Sequence, residues 1–308
     1  MTKRRISTNL DIASKEEGTF SVFKDKELHY TSWKPKQSSQ SKWALILIHG
    51  MGDHSGHMMT IVEYFLKKHD DSVIYAYDQR GHGLTQGTRG HIDSWTQFRG
   101  DLEAFCEFVQ KKESVETIIL FGNSMGGAVV LDFSMHMANK AVKAVMANGP
   151  ALGMHDLGAV LGTVVSLISK VSPAMNNSAA LQSAKLTRDP QKQQENDEDE
   201  LVHTNCSMKL LSELRNTGNY IKSHPEDLKL PVLIVAGEED PIAITKESKK
   251  FIAQVQKTNN NADIHITPGG MHETFNDTDR EDVFQRMEQF VNSVLEGTSN
   301  NNENSNKQ

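Results

Sequence analysis

Two spacings of apolar residues alternate along this chain. Short unbroken runs at Trp43–Ile48 (WALILI), Ser72–Tyr77 (SVIYAY), Thr117–Phe121 (TIILF), Ala141–Met146 (AVKAVM) and Leu230–Ala236 (LPVLIVA) predict strands. A run as continuous as WALILI marks a strand covered on both faces. Ala262–Thr267 (ADIHIT) alternates apolar and polar and predicts a last strand. Near the start, Thr19–Phe23 and Leu28–Trp33 predict a hairpin with Asp25-Lys26 at its turn. Between the strands the spacing changes to the helical one, over Met58–Leu66, Trp95–Val109, Met125–Ala138, Thr245–Val255 and Asp282–Leu295. Trp95–Val109 carries apolar residues at 95, 98, 102, 105, 106 and 109, the stripe of a surface helix laid on a sheet. Cys106 lies on that stripe and reads as a small buried hydrophobe.

The alternation breaks after Asn148-Gly149-Pro150. Ala151–Val171 is apolar, small and glycine-dotted, and predicts a helix with one strongly apolar face. Residues 172–200 are polar, with six acidic residues against one lysine between Asp189 and Glu200, and are expected to be a solvated face with a turn at Asp189-Pro190. Cys206–Arg215 predicts a second short amphipathic helix. The resulting organisation is an α/β core begun by residues 1–150, a cap inserted at 151–228, the rest of the core at 229–296, and an asparagine-rich disordered tail at 297–308.

A chain of 308 residues is long enough for a large α/β core with a subdomain. A net charge of −7 gives no electrostatic reason to expect a nucleic-acid partner. Two distant cysteines make neither a disulfide framework nor a metal cluster, and they fit a reducing, cytoplasmic compartment. The N-terminus has no apolar signal core, and no run of 18 apolar residues predicts a membrane span.

The chemistry concentrates at strand ends. Thr117–Phe121 runs into Gly122-Asn123-Ser124-Met125-Gly126-Gly127, a G-x-S-x-G turn between a strand and a helix. That turn raises a serine hydroxyl above a sheet edge, and the glycines spare it a crowding Cβ. Ser124 is therefore the candidate nucleophile. The amide of Met125, at the start of the next helix, is the natural first oxyanion donor. The loop His49-Gly50-Met51-Gly52-Asp53-His54-Ser55-Gly56 follows an early strand and would aim a second amide, that of Met51, at the same site. Arg80, His82, Arg89 and His91 lie in a long loop; they either contact ligand or, as such residues more often do, brace the loop. Gly237-Glu238-Glu239-Asp240-Pro241 places three carboxylates beyond a late strand, and the fixed Pro241 makes Asp240 the best positioned. His272 follows the last strand. A serine hydroxyl needs an imidazole to take its proton, and the imidazole needs a carboxylate to fix its tautomer. Ser124, Asp240 and His272 occur in the chain order that suits this architecture.

HGMGDHSG, YDQRGHG with TRGH, GNSMGG, LTRDP with LVH, GEED and GMHETF, spread over residues 18–296, together resemble the monoacylglycerol lipase and lysophospholipase group of α/β hydrolases. The resemblance implies an α/β-hydrolase fold, a mostly parallel eight-stranded sheet with a largely helical cap. It implies Ser124, Asp240 and His272 as catalytic triad and the Met51 and Met125 amides as oxyanion hole. It further implies cleavage of carboxylic esters, most simply monoacylglycerol, with lysophospholipid and general carboxylic esters as alternatives. Neither cofactor nor metal is implied. The cap's apolar helices would admit an acyl chain and touch a membrane surface; oligomeric state stays open. Asn123 departs from the histidine usual before the nucleophile.

Overall fold

The computed structural model describes residues 5–22, 26–37, 40–136, 139–153, 172, 174–175 and 185–305. A hairpin of β1 (Ala13–Val22) and β2 (Lys26–Pro35) leads into β3 (Trp43–Ile48), β4 (Ser72–Tyr77), β5 (Thr117–Asn123), β6 (Val142–Asn148), β7 (Val232–Gly237) and β8 (Ala262–Thr267). They form one sheet in the order β1-β2-β4-β3-β5-β6-β7-β8. The hairpin and the β2–β4 pair are antiparallel, and every later pair is parallel. This is the expected α/β-hydrolase sheet. β3, β4 and β7 are buried at every residue, as their unbroken apolar runs require.

The two-residue period of a strand divides the core into two layers. Ala44, Ile46 and Ile48 of β3 join Phe98, Leu102 and Phe105 of α2 (Thr96–Glu113) and Val129 and Val130 of α3 (Met125–His136). Leu45 and Leu47 face the other way, among Ile61 and Phe65 of α1 (Met59–Lys68) and Met287 and Val291 of a closing helix, Arg280–Ser305. Cys106 is fully buried in the first layer, where burial pushes its thiol well up.

The first hairpin is longer than its apolar residues suggest, because backbone pairing with β2 carries the edge strand β1 through the polar stretch Ser14–Thr19, none of which is buried. The closing helix continues to Ser305, through much of the stretch whose composition predicts a disordered tail. Once a packed helix is nucleated, each further residue costs little to add.

The insertion after β6 departs more instructively. Asp189-Pro190, expected as a turn, starts α4 (Pro190–Glu198): Asp189 accepts from the amides of Gln191 and Lys192, and Pro190 takes the first helical position, which needs no amide hydrogen. No residue of α4 is buried, as a solvated acidic face requires, yet Asp199 immediately after it is 1% exposed. The predicted second amphipathic helix is α5 (Met208–Ser223), and it packs on α3. The predicted apolar helix of 151–171 lies almost wholly outside the described residues. Around α4 the insertion crosses the carboxyl edge of the sheet. His203 N–H donates to Gly52 O, Ser207 N–H to Gly90 O, and Leu186 O accepts from Glu273 N, each at 2.9 Å. The core resumes through α6 (Thr245–Val255), which leaves the closing helix as α7. Among the described residues no helix is long and apolar enough to cross a membrane.

The long loop after β4 is braced by its own carbonyls, by α2 and by the insertion. Arg80 grips Asp101 of α2 with two bonds of 2.5 and 2.6 Å, Arg89 donates to Gly83 O, His82 Nδ1 meets Arg80 O, and His91 Nδ1 meets Ser207 Oγ. Breaking a buried pair leaves an uncompensated charge, so Arg80→Ala is expected to lower unfolding free energy by about 3 kcal/mol. A urea denaturation midpoint unchanged from wild type would refute the bracing role.

Candidate active site

Ser124 directly follows β5 in a left-handed backbone conformation, φ +55°, which few residues with a Cβ adopt. Two glycines permit it. A Cβ on Gly122 would run into Gly126 O, and one on Gly126 into the carbonyls of Ile48 and His49 at the end of β3. The strained peptide is tied down on both sides: Ser124 N–H donates to Asn148 O at 2.8 Å, and Ser124 O accepts from Ala128 N and Ala151 N at 3.1 and 3.2 Å. Asn123 and Met125 are buried while Ser124 is partly exposed, so the turn lifts this residue above the sheet edge.

Asp240 and His272 are joined. His272 Nδ1 lies 2.7 Å from Asp240 Oδ2, and Asp240 Oδ1 accepts the amides of Ile242 and Ala243 at 2.8 and 2.9 Å. The carboxylate's orientation is therefore fixed by backbone, leaving one oxygen for the ring. Glu238 and Glu239, its rivals in sequence, are both exposed. Burial pushes the His272 imidazolium towards losing its proton; the Asp240 charge and hydrogen bond, helped by Glu273, outweigh this and move its pKa upward. Gly149, at φ +44°, passes so close that a Cβ there would sit 3.1 Å from both Asp240 Oδ2 and His272 Nδ1. Gly149 directly follows Asn148, whose carbonyl holds the Ser124 amide, so one turn of chain touches both the serine peptide and the acid–imidazole pair.

Three residues that motif reading passed over organise this contact: Asn148, Gly149 and Thr274. Asn148 Nδ2 donates to Asn123 Oδ1 and to His272 O, both at 2.8 Å, and its Oδ1 accepts from Thr274 Oγ1 at 2.5 Å. Asn123, the departure from the family pattern, thus supplies an acceptor that helps set the histidine loop. The one signal available in sequence was an Asn-Gly pair at a strand's carboxyl end, and many turns share it.

The loop after β3 closes the other side. A Cβ on Gly50 would lie 3.4 Å from Ser124 Cβ. His49 Nδ1 meets Gly50 O at 2.7 Å while its Nε2 accepts from Gln79 N at 2.9 Å, so the ring carries its hydrogen on Nδ1 and donates it to that carbonyl. In a trans peptide the N–H points opposite to the C=O, so pinning Gly50 O also sets the direction of the Met51 amide. Met125 N–H belongs to the first turn of α3 and has no partner within the helix. The contact of Gly126 with the β3 carbonyls brings the two amide-bearing segments together. Ser124, the Asp240–His272 pair and the loop that carries Met51 all follow the carboxyl ends of strands of the one sheet.

Residues 39–279 match the family model Hydrolase_4, described as Serine aminopeptidase, S33. A monoacylglycerol lipase of Mycolicibacterium smegmatis is 24% identical over 287 residues, 92% of this chain and 99% of its own. The phospholipase YtpA of Bacillus subtilis is 23% identical over 82% of this chain and 95% of its own. Among solved structures, the monoacylglycerol lipase of Paleococcus ferrophilus superposes with a TM-score of 0.76 at 25% identity, covering 87% of this chain and 99% of that one. With the family model spanning most of its length and this sheet beneath it, the chain belongs to the serine aminopeptidase S33 family of α/β hydrolases.

Proposed function

We propose that this protein hydrolyses carboxylic esters of lipids, with monoacylglycerol as substrate, through Ser124, His272 and Asp240. The observation that carries the reading is the Asp240-held His272 packed against Gly149, one residue from the carbonyl that anchors the strained Ser124 peptide. Ser124 attacks the ester carbonyl carbon as His272 Nε2 takes its proton. Asp240 keeps the other ring nitrogen protonated and stabilises the imidazolium. The Met51 and Met125 amides hold the oxyanion, an arrangement in which removing one donor typically costs ~3 kcal/mol of transition-state stabilisation. His272 next protonates the departing alcohol, and water releases the fatty acid from the acyl-enzyme.

The acylglycerol reading draws on the named lipases of Mycolicibacterium and Paleococcus; the phospholipase YtpA favours a second one, in which the leaving group is a lysophospholipid head. Fatty-acid release from monoacylglycerols and from lysophosphatidylcholine, over a range of acyl lengths at equal enzyme, separates the two. A long-chain glycerol monoester optimum supports the first, and activity confined to acetate esters removes both.

Ser124→Ala is expected to abolish ester turnover and labelling by a fluorophosphonate; turnover at the wild-type rate would end the nucleophile assignment. Asp240→Asn, which leaves the imidazole without its charged partner, is expected to lower kcat by about 10⁴-fold. The base works as neutral imidazole, and Asp240 raises its pKa, so kcat/KM should increase with pH along a limb centred above the ordinary histidine value of about 6.5. A limb centred below that value would contradict the acid–imidazole coupling.

A further inference from the structure

Behind the loop that carries Met51, five ionisable side chains are buried together. Asp53, His54 and His57 come from the loop and short 3₁₀ turn after β3, Asp199 from the insertion just past α4, and Glu273 from beside His272. His57 Nδ1 lies 3.1 Å from Asp53 Oδ1, and its Nε2 lies 3.8 Å from Asp199 Oδ2. His54 Nε2 is 3.3 Å from that same Asp199 oxygen, which also accepts the Ile6 amide at 3.0 Å. Asp199 Oδ1 accepts from Leu201 N at 2.7 Å. Three of these buried atoms, Asp53 Oδ2, His54 Nε2 and His57 Nε2, have no hydrogen bond of ordinary geometry.

Either a metal ion or a proton can hold such a group, since ligand atoms of His54, His57 and Asp199 fall within 4.8 Å of one another. The hydrogen on His54 decides between them. Gly56 N–H donates to His54 Nδ1 at 3.1 Å, so that nitrogen presents its lone pair. A neutral ring must then carry its hydrogen on Nε2, the atom a metal would need bare. His57 fits the proton reading: as imidazolium it turns one N–H to Asp53 at 3.1 Å and sets its charge 3.8 Å from Asp199 Oδ2, whereas the neutral ring brings neither carboxylate a charge.

We propose that His57 is a positioning residue, an imidazolium clasp between Asp53 and Asp199 that fastens the inserted segment to the oxyanion loop and so holds the Met51 amide in place. The proposal rests on the ester-hydrolase reading for its catalytic consequence, though the clasp itself can be measured without turnover. Burial opposes the charge on His57, but the carboxylates of Asp53, Asp199 and Glu273 overcome it and raise its pKa to about 9. His54 Nε2–H strengthens the hold on Asp199, which lies well below the usual carboxylate range despite its burial. Asp78, bonded to Ser55 N–H, adds a further negative charge to the same loop. Between the unfolded histidine value of about 6.5 and the folded value, the native state carries the extra proton. Stability from this group is therefore complete below pH ~6.5 and falls as pH rises through about 9. Past that point Asp53, Asp199 and Glu273 face one another without their cation.

The test compares wild type, His57→Arg and His57→Gln between pH 7 and 10.5 with a soluble nitrophenyl ester, alongside metal analysis and an NMR titration of the His57 ring in wild type. A wild-type kcat that falls with a midpoint near pH 9 at little-changed KM, and a fall that disappears in His57→Arg, supports the clasp. His57→Gln should lose roughly ten- to a hundred-fold in kcat at pH 8, the scale of a misplaced catalytic group. An alkaline fall that persists unchanged in His57→Arg, or a His57 ring already neutral at pH 7.5, overturns it. So does a stoichiometric divalent metal whose removal abolishes activity. If wild type neither turns over esters nor takes the fluorophosphonate, the ester-hydrolase reading fails instead, and the ring titration still decides whether the imidazolium exists.

Discussion

Ser124 holds a backbone conformation that L-residues avoid, at a cost of order 1–3 kcal/mol, and the surrounding site depends on keeping it there. Gly122 and Gly126 remove the side chains that would push the turn open, while Asn148 and Ala151 hold its N–H and carbonyl. Because α3 starts at the next residue, the same strain sets where the first helical amides point. The parallel sheet supplies the stiffness: β5 lies between β3 and β6, so both neighbours present their carboxyl ends to the turn.

From that turn the constraints spread through carbonyls and amides more than through side chains. Asn148 is the junction, its backbone oxygen on Ser124 and its side chain on Asn123, the His272 carbonyl and Thr274. Asp240 is aimed by two amides of its own loop before it meets the imidazole. On the opposite side His49 bridges Gly50 O and Gln79 N, linking the loops after β3 and β4. A polar network this buried is rigid where its members are satisfied, and the Asn148 and Asp240 side chains are each held by two or more bonds of 2.5 to 2.9 Å.

The described part of the insertion is docked onto the site's own loops. Leu186, Asp199, His203 and Ser207 each bond to a core loop or to the N-terminal segment. Arg188 adds three contacts to the buried Asp277 carboxylate, one from its amide and two from Nε, and Asp277 in turn accepts the Met271 amide next to His272. Movement of this segment would therefore be felt at Met271, the residue beside His272.

Strand positions, the sheet class and the residues at strand ends are legible in the amino-acid order, because covered strands need unbroken apolar runs and a tight strand-to-helix turn needs glycines at fixed offsets. β4, α6 and β8 occupy the predicted residues, and the fixed Pro241 sets Asp240 apart from Glu238 and Glu239. Tertiary structure alone decided the rest. Asp199 sits in a stretch whose charge density reads as solvated, and it is buried because two histidines from a distant loop receive it. Asn148 and Gly149 look like any turn until Asp240 and His272 pack against them. Local pattern records whether a residue faces water within its own element; which buried charge meets which partner across a hundred residues is set only when the sheet edges close.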